Sequence, residues 1–129
     1  MTCATAHNMI RATTPKHIFI FEVDPSEFKR ILITYEQDGH IVMEKDQDDL
    51  TFESETDDET GETIYTAWYR LSQEETAKFL PEQTFFGTRS EKHTRVSVQV
   101  RVLTTSDEAL ASDKKTLNVQ DVLNDEVLV

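Results

Sequence analysis

The sequence predicts an all-β fold built as two stacked antiparallel sheets, and three observations carry that expectation. Residues 95–104, RVSVQVRVLT, alternate Val96, Val98, Val100 and Val102 with Ser97, Gln99, Arg101 and Leu103. That period of two puts the four valines on one side of an extended strand, whereas a helix would scatter them. Two more alternating segments, 30–36 and 40–45, are joined by Gln37-Asp38-Gly39, and an Asp-Gly pair between such segments is a strong hairpin signal. Further short segments separated by turn residues bring the strand number to about seven, the spacing of a sandwich. A small barrel is the next arrangement that would fit.

Taken in order, residues 1–16 lack periodicity and read as a flexible N-terminal arm, with Pro15 imposing extended geometry on its neighbour. Met9 lies inside this arm, and a start there would leave residues 1–8 as an upstream extension with no structural role. Residues 17–23, HIFIFEV, are apolar on both faces, as suits a strand covered on two sides or packed against a partner. Asp24-Pro25-Ser26 closes it as a turn. After the hairpin, residues 46–49 form an acidic loop, 50–54 a short strand, and 55–62 a second acidic loop turning at Gly61. Residues 63–71, TIYTAWYRL, form a long strand that sets Ile64, Thr66, Trp68 and Arg70 opposite Tyr65, Ala67, Tyr69 and Leu71.

Ser72-Gln73-Glu74-Glu75 fits a capping box, in which a serine and the glutamate three residues later satisfy each other's free N–H groups. A helix over 73–80 should follow and stop before Pro81. Residues 81–93 read as a loop leading into the central strand. Ser106-Asp107-Glu108 turns the chain, and 109–112 with 116–119 return as one interrupted strand. The tail 121–129 is apolar enough to dock on its own domain or on a neighbour. A helical turn before the penultimate strand, bridging the two layers, makes the expected fold an immunoglobulin-like antiparallel β-sandwich over 17–120. The Cys…Trp…Cys pattern of antibody domains is absent.

A chain of 129 residues is the usual size of one domain. Its hydrophobic content of 37%, with seven Phe, three Tyr and one Trp, can fill a core. The single cysteine, Cys3, forms no intrachain disulfide and reads as an unpaired thiol of a reducing compartment. No apolar run approaches the roughly 20 residues of a membrane helix, and the expectation is a soluble protein made in the cytoplasm. A net charge of −12 opposes binding to phosphate backbones, so nucleic acid is not an expected partner. Residues 44–62 hold ten acids against Lys45 alone, a local net of −9.

Candidate chemistry is sparse. The acidic loops offer carboxylates to a hard cation, but Asp46-Gln47-Asp48-Asp49 lacks calcium-loop spacing, and solvated loops that guard edge strands explain them better. His7, His17, His40 and His93 are scattered, without zinc spacing. No serine is marked as a nucleophile beside a base and an orienting acid, and no glycine-rich loop exists, so catalysis is not expected. Tyr65, Trp68, Tyr69, Phe85 and Phe86 could line a carbohydrate cleft, although core packing accounts for those on strands. Phe85-Phe86 is different, because two adjacent aromatics in a loop cannot easily both point inward.

The run 71–76, LSQEET, the strand 98–104, VQVRVLT, the segment Ala109-Leu110-Ala111-Ser112 and the ending 122–128, VLNDEVL, together resemble small virion-associated proteins of bacteriophages and prophages. More loosely, the chain is similar to the immunoglobulin-like N-terminal domain of phage upper baseplate proteins, with an L-[ST]-x-[DE]-[DE]-like turn before a V-x-V-x-V strand. It departs from that pattern by lacking Pro-Gly after the helical turn and by longer loops at 55–62 and 82–93. The resemblance runs from about Met9 to the C-terminus, and its motifs are structural. It implies a non-enzymatic structural module of the virion, at the tail or baseplate, without cofactor or metal, whose partners are other virion proteins and copies of itself. The residues expected to make those contacts are Phe19, Phe21, Phe85, Phe86, Val127 and Leu128. A soluble acidic adaptor or inhibitor of a host protein and a carbohydrate-binding module are the alternative readings.

Overall fold

The computed structural model describes residues 2–3, 8–79, 94–120 and 127–129. It is an all-β, sandwich-like fold. Ten strands are described: β1 (Thr2–Cys3), β2 (Asn8–Ile10), β3 (Lys16–Phe21), β4 (Phe28–Gln37), β5 (His40–Asp46), β6 (Thr51–Thr56), β7 (Thr63–Arg70), β8 (Thr94–Thr104), β9 (Ala109–Ala111) and β10 (Lys115–Gln120). One short helix, α1 (Gln73–Ala77), lies between β7 and β8.

The first sheet has the order β1-β3-β7-β6 and the second the order β2-β10-β8-β4-β5, with β9 also on β8. The chain crosses between sheets after β1, β2, β3, β5 and β7 and makes hairpins at β4–β5, β6–β7 and β8–β10. This is the strand order of an immunoglobulin-type sandwich, ABED facing a G-F-C sheet extended by β5 beyond C and by β2 beyond G. The valine row lies where the two layers meet: Val96, Val98, Val100 and Val102 are all buried, facing Phe19, Phe21, Ala67 and Tyr69 of the first sheet within one core. β8 is flanked by β4, with Ile31, Ile33 and Tyr35 opposite Val102, Val100 and Val98, and by β10, with Leu117 opposite Val96.

Local chemistry explains the turns. The β4–β5 hairpin closes with Asp38 at φ 53° and Gly39 at φ 81°, the two positive angles that a primed turn needs. The interruption between β9 and β10 is filled by Ser112, whose N–H donates to Val100 O at 2.8 Å and whose Oγ accepts from Val100 N at 3.0 Å. α1 begins with the capping box the sequence predicts: Ser72 Oγ accepts from Glu75 N at 3.1 Å, and Glu75 Oε1 accepts from Ser72 N at 3.0 Å. It is shorter than 73–80, because Lys78 N and Phe79 N bond back three residues and close the last turn tightly.

Residues 8–16 correct the expectation of a flexible arm. Met9 is buried in the core, and β2 runs parallel to β10, pairing Met9 with Val119. Arg11 is buried and its Nη2 donates to Ala77 O at 2.8 Å, where α1 ends. Thr76, buried on α1, gives its hydroxyl proton to Thr13 O at 2.8 Å and accepts from Thr13 N at 3.1 Å. Thr2 and Cys3 pair with Ile20 and Phe19, so part of 1–8 also has a place in the first sheet. Arginine, threonine and asparagine supply no apolar period, which is why the sequence hides a segment held by hydrogen bonds.

Candidate functional site

The sandwich is open along one side. β6 is the outer strand of the first sheet, pairs only with β7 among the described residues, and is exposed along its whole length. Its sequence, TFESET, has one apolar residue and so buries little. The bond from Asp57 N to Glu62 O, at 2.8 Å, fixes the phase of the β6–β7 ladder. Residues 51, 53 and 55 therefore turn their backbone groups toward β7, while Phe52, Ser54 and Thr56 turn theirs to the free edge.

Inside that edge lies a cleft of about 440 Å³, walled by Phe28, Ile31, Phe52 and Tyr65 and reached by Asp24 and Gln47. Phe52 sits opposite Ala67 on the inward face yet stays 44% exposed, because it borders the open cleft. Gln47 belongs to a 3-10 turn, Gln47–Asp49, and its Oε1 accepts from Ile31 N at 3.0 Å, which ties that turn to β4. Asp24 caps the turn Pro25–Glu27 by accepting from Ser26 N at 2.9 Å. Asp24 and the neighbouring Glu53 have no ion-pair partner among the described residues. The aromatic walls and the surrounding carboxylates together form a site of negative potential with apolar sides.

A second polar cluster is buried between the sheets. His17 Nδ1 lies 2.5 Å from Tyr35 Oη, which in turn is bonded to Tyr69 Oη. His17 Nε2 has no partner among the described residues, and burial depresses the imidazole from 6.5 to about 4, so the ring is neutral at neutral pH. Lys45 Nζ sits 5.8 Å from the Tyr69 ring centroid and forms an ion pair with Glu75 of α1. Burial alone would raise the Glu75 carboxyl, but the bonds from Lys45 and from Ser72 N outweigh it and hold the group below its ordinary range. This cluster joins β3, β4, β5, β7 and α1; its His17–Tyr35–Tyr69 part is buried and its Lys45–Glu75 end only half-buried, so it ties the elements together in packing.

The expected contact residues divide. Phe19 and Phe21, 0% and 1% exposed, are core residues and not surface anchors: alternation in β3 turns His17, Phe19 and Phe21 inward and leaves Ile18 and Ile20 half-buried on the outer face. Phe85 and Phe86 lie outside the described residues. The tail returns to its own domain: Leu128 N donates to Gln73 Oε1 at 2.7 Å and Leu128 O accepts from Gln73 Nε2 at 2.9 Å, leaving the Leu128 side chain 77% exposed and Val127 half-buried.

No family model matches the chain, and no curated protein matches it either.

Of the aromatic group suggested for carbohydrate, the three described members, Tyr65, Trp68 and Tyr69, do not line one surface. Tyr69 is in the core, Trp68 is half-buried on the outer face of the first sheet with Lys16 Nζ 4.1 Å above its ring, and Tyr65 reaches the cleft. In the first acidic loop, Asp46 accepts from Asp48 N at 2.9 Å and Asp49 accepts from Asp46 N at 3.0 Å, so these carboxylates cap their own turn. Sequence reasoning missed the cleft. Its walls come from four separated segments, and only the solitary Phe52 in a polar strand offered a signal.

Proposed function

We propose that this chain is a non-enzymatic structural module of a phage virion, working at the tail or baseplate through protein–protein contacts made at the open edge of β6. One observation carries the reading: a full strand whose outward N–H and C=O groups have no partner strand among the described residues, the arrangement by which an extended segment of another chain adds to a sheet. The resemblance to small virion-associated proteins supports the location. The exposed Ile64 and Leu128 add apolar contact area beyond the edge.

Purified particles analysed by mass spectrometry test the location, and Ser54→Pro tests the edge. The Ser54 N–H points outward, so proline leaves the β6–β7 ladder intact while removing a donor that an added strand would use. The expected result is wild-type chain in the particle and loss of Ser54→Pro from it, with an unchanged melting temperature. Particles that lack the wild-type chain would overturn the proposal. The acidic edge also favours a second reading, an adaptor or inhibitor of a basic host protein, and recovery of the chain with such a protein in place of particles would select it.

A further inference from the structure

Resting on the edge reading, we infer that the segment added to β6 is basic and places an arginine side chain in the cleft behind Phe52. The inward side chains of an added strand would project beside Phe52 and Ser54, into the mouth of the 440 Å³ space walled by Phe28, Ile31 and Tyr65. A guanidinium suits that space. It stacks on aromatic faces, its flat fork matches a carboxylate such as Asp24, and it sheds water more readily than an ammonium. Its long apolar stem covers the rest of the wall.

Charge selects the same partner. The strand and its flanking loops, residues 44–62, hold ten acids against one lysine, and the pair Lys45–Glu75 spends that lysine elsewhere. An acidic segment would be repelled, and a second copy of this chain brings its own −12 charge to the contact. The acids thus act as a filter: they discourage β6 from pairing with itself and admit a strand of opposite sign.

The test uses the full chain and a fluorescein-labelled decapeptide alternating arginine and threonine, with glutamine and glutamate replacing arginine in two comparison peptides. Anisotropy should show the arginine peptide binding at least about tenfold more tightly than the glutamine peptide, with no binding of the glutamate one and weakening by salt. Phe52→Ala removes a wall that is largely exposed, and Asp24→Asn keeps the turn cap while removing the charge. Each should weaken the arginine peptide several-fold without altering the melting temperature, and Ser54→Pro should abolish binding. Equal affinity for the arginine and glutamine peptides overturns the inference. So does insensitivity to Phe52→Ala and Asp24→Asn while Ser54→Pro still abolishes binding, an outcome that leaves the edge reading standing. If no peptide binds, or if the chain self-associates through β6 in sedimentation, the basic partner is refuted, while particle incorporation of Ser54→Pro judges the edge independently.

Discussion

Acid should destabilise this sandwich well before its carboxylates titrate, and His17 is the reason. The ring is buried between β3, β4 and β7, bonded to Tyr35 and packed 6.1 Å from the Tyr69 ring, with Nε2 unpartnered among the described residues. Protonation would place an N–H⁺ in a buried site that offers it no acceptor among the described residues. The folded imidazole therefore titrates at about 4, against 6.5 when unfolded. Between those values the unfolded chain binds a proton that the folded chain refuses, so stability falls as pH falls through 6.5 and levels off below about 4. The gap of some 2.5 pK units corresponds to about 3 kcal/mol in full, of which about 2 kcal/mol is lost between about pH 7 and about pH 5. Urea unfolding followed by the fluorescence of Trp68, the only tryptophan, measures this across the range. In His17→Phe the aromatic volume stays but the titration goes, and the slope between about pH 7 and about pH 5 should flatten by that amount. The other histidines are common to both proteins and cancel in the difference. Glu75 acts lower: its folded carboxyl is held below the usual range, so its contribution is present above that range and disappears only in stronger acid. Equal slopes for the two proteins, or an NMR titration placing the His17 ring near its ordinary value, would refute the reasoning.

Three further outcomes follow from the packing. Thr76→Val keeps the shape of the side chain but leaves Thr13 N and Thr13 O without their partner, and should cost about 1–2 kcal/mol in thermal unfolding, with 8–16 exchanging amide hydrogens faster. Gly39→Ala meets no neighbouring atom within 4 Å, so its effect is backbone strain alone at φ 81°: a loss of about 1 kcal/mol, with Gly39→Asn close to neutral. Ile33→Ala, at a fully buried position, should cost about 3 kcal/mol, whereas Ile64→Ala on the exposed outer face should stay within about 0.5 kcal/mol.

The valine row, the Asp-Gly hairpin and the capping box were legible because each is a local pattern with one structural solution. Val96 to Val102 can only share a face as a strand, and Asp38-Gly39 is the pair that tolerates two positive φ angles. What stayed hidden depends on contacts between distant residues. Residues 8–16 show no period, yet Arg11 and Thr13 find Ala77 and Thr76 more than 60 positions away. Phe19 and Phe21 look like contact residues in the sequence because 17–23 is apolar on both faces. Register against β7 decides which face is inside, and no composition reveals that. The cleft is the clearest case, since Phe28, Ile31, Phe52 and Tyr65 meet only after both sheets are stacked.

An exposed edge strand is a hazard as well as a binding surface, and β6 must be prevented from pairing with the β6 of a neighbouring copy. Natural sandwiches use charge, bulges or covering segments for this. Here β6 is regular, paired residue for residue with β7, and exposed along its length with no covering segment among the described residues, which leaves charge as the protecting device. Glu53 and Glu55 stand on its outward face and the loops on either side add the remaining acids, so antiparallel self-pairing would set carboxylates against carboxylates. The same acids flank an aromatic cleft, so the protection is selective rather than absolute. Neutralising them separates the two roles. In Glu53→Gln/Glu55→Gln the free edge keeps its hydrogen-bonding groups but loses its repulsion, and concentration-dependent self-association should appear in sedimentation under conditions that leave the wild type unassociated. A doubly substituted chain that stays unassociated at the same concentrations would show that some feature other than charge guards the edge.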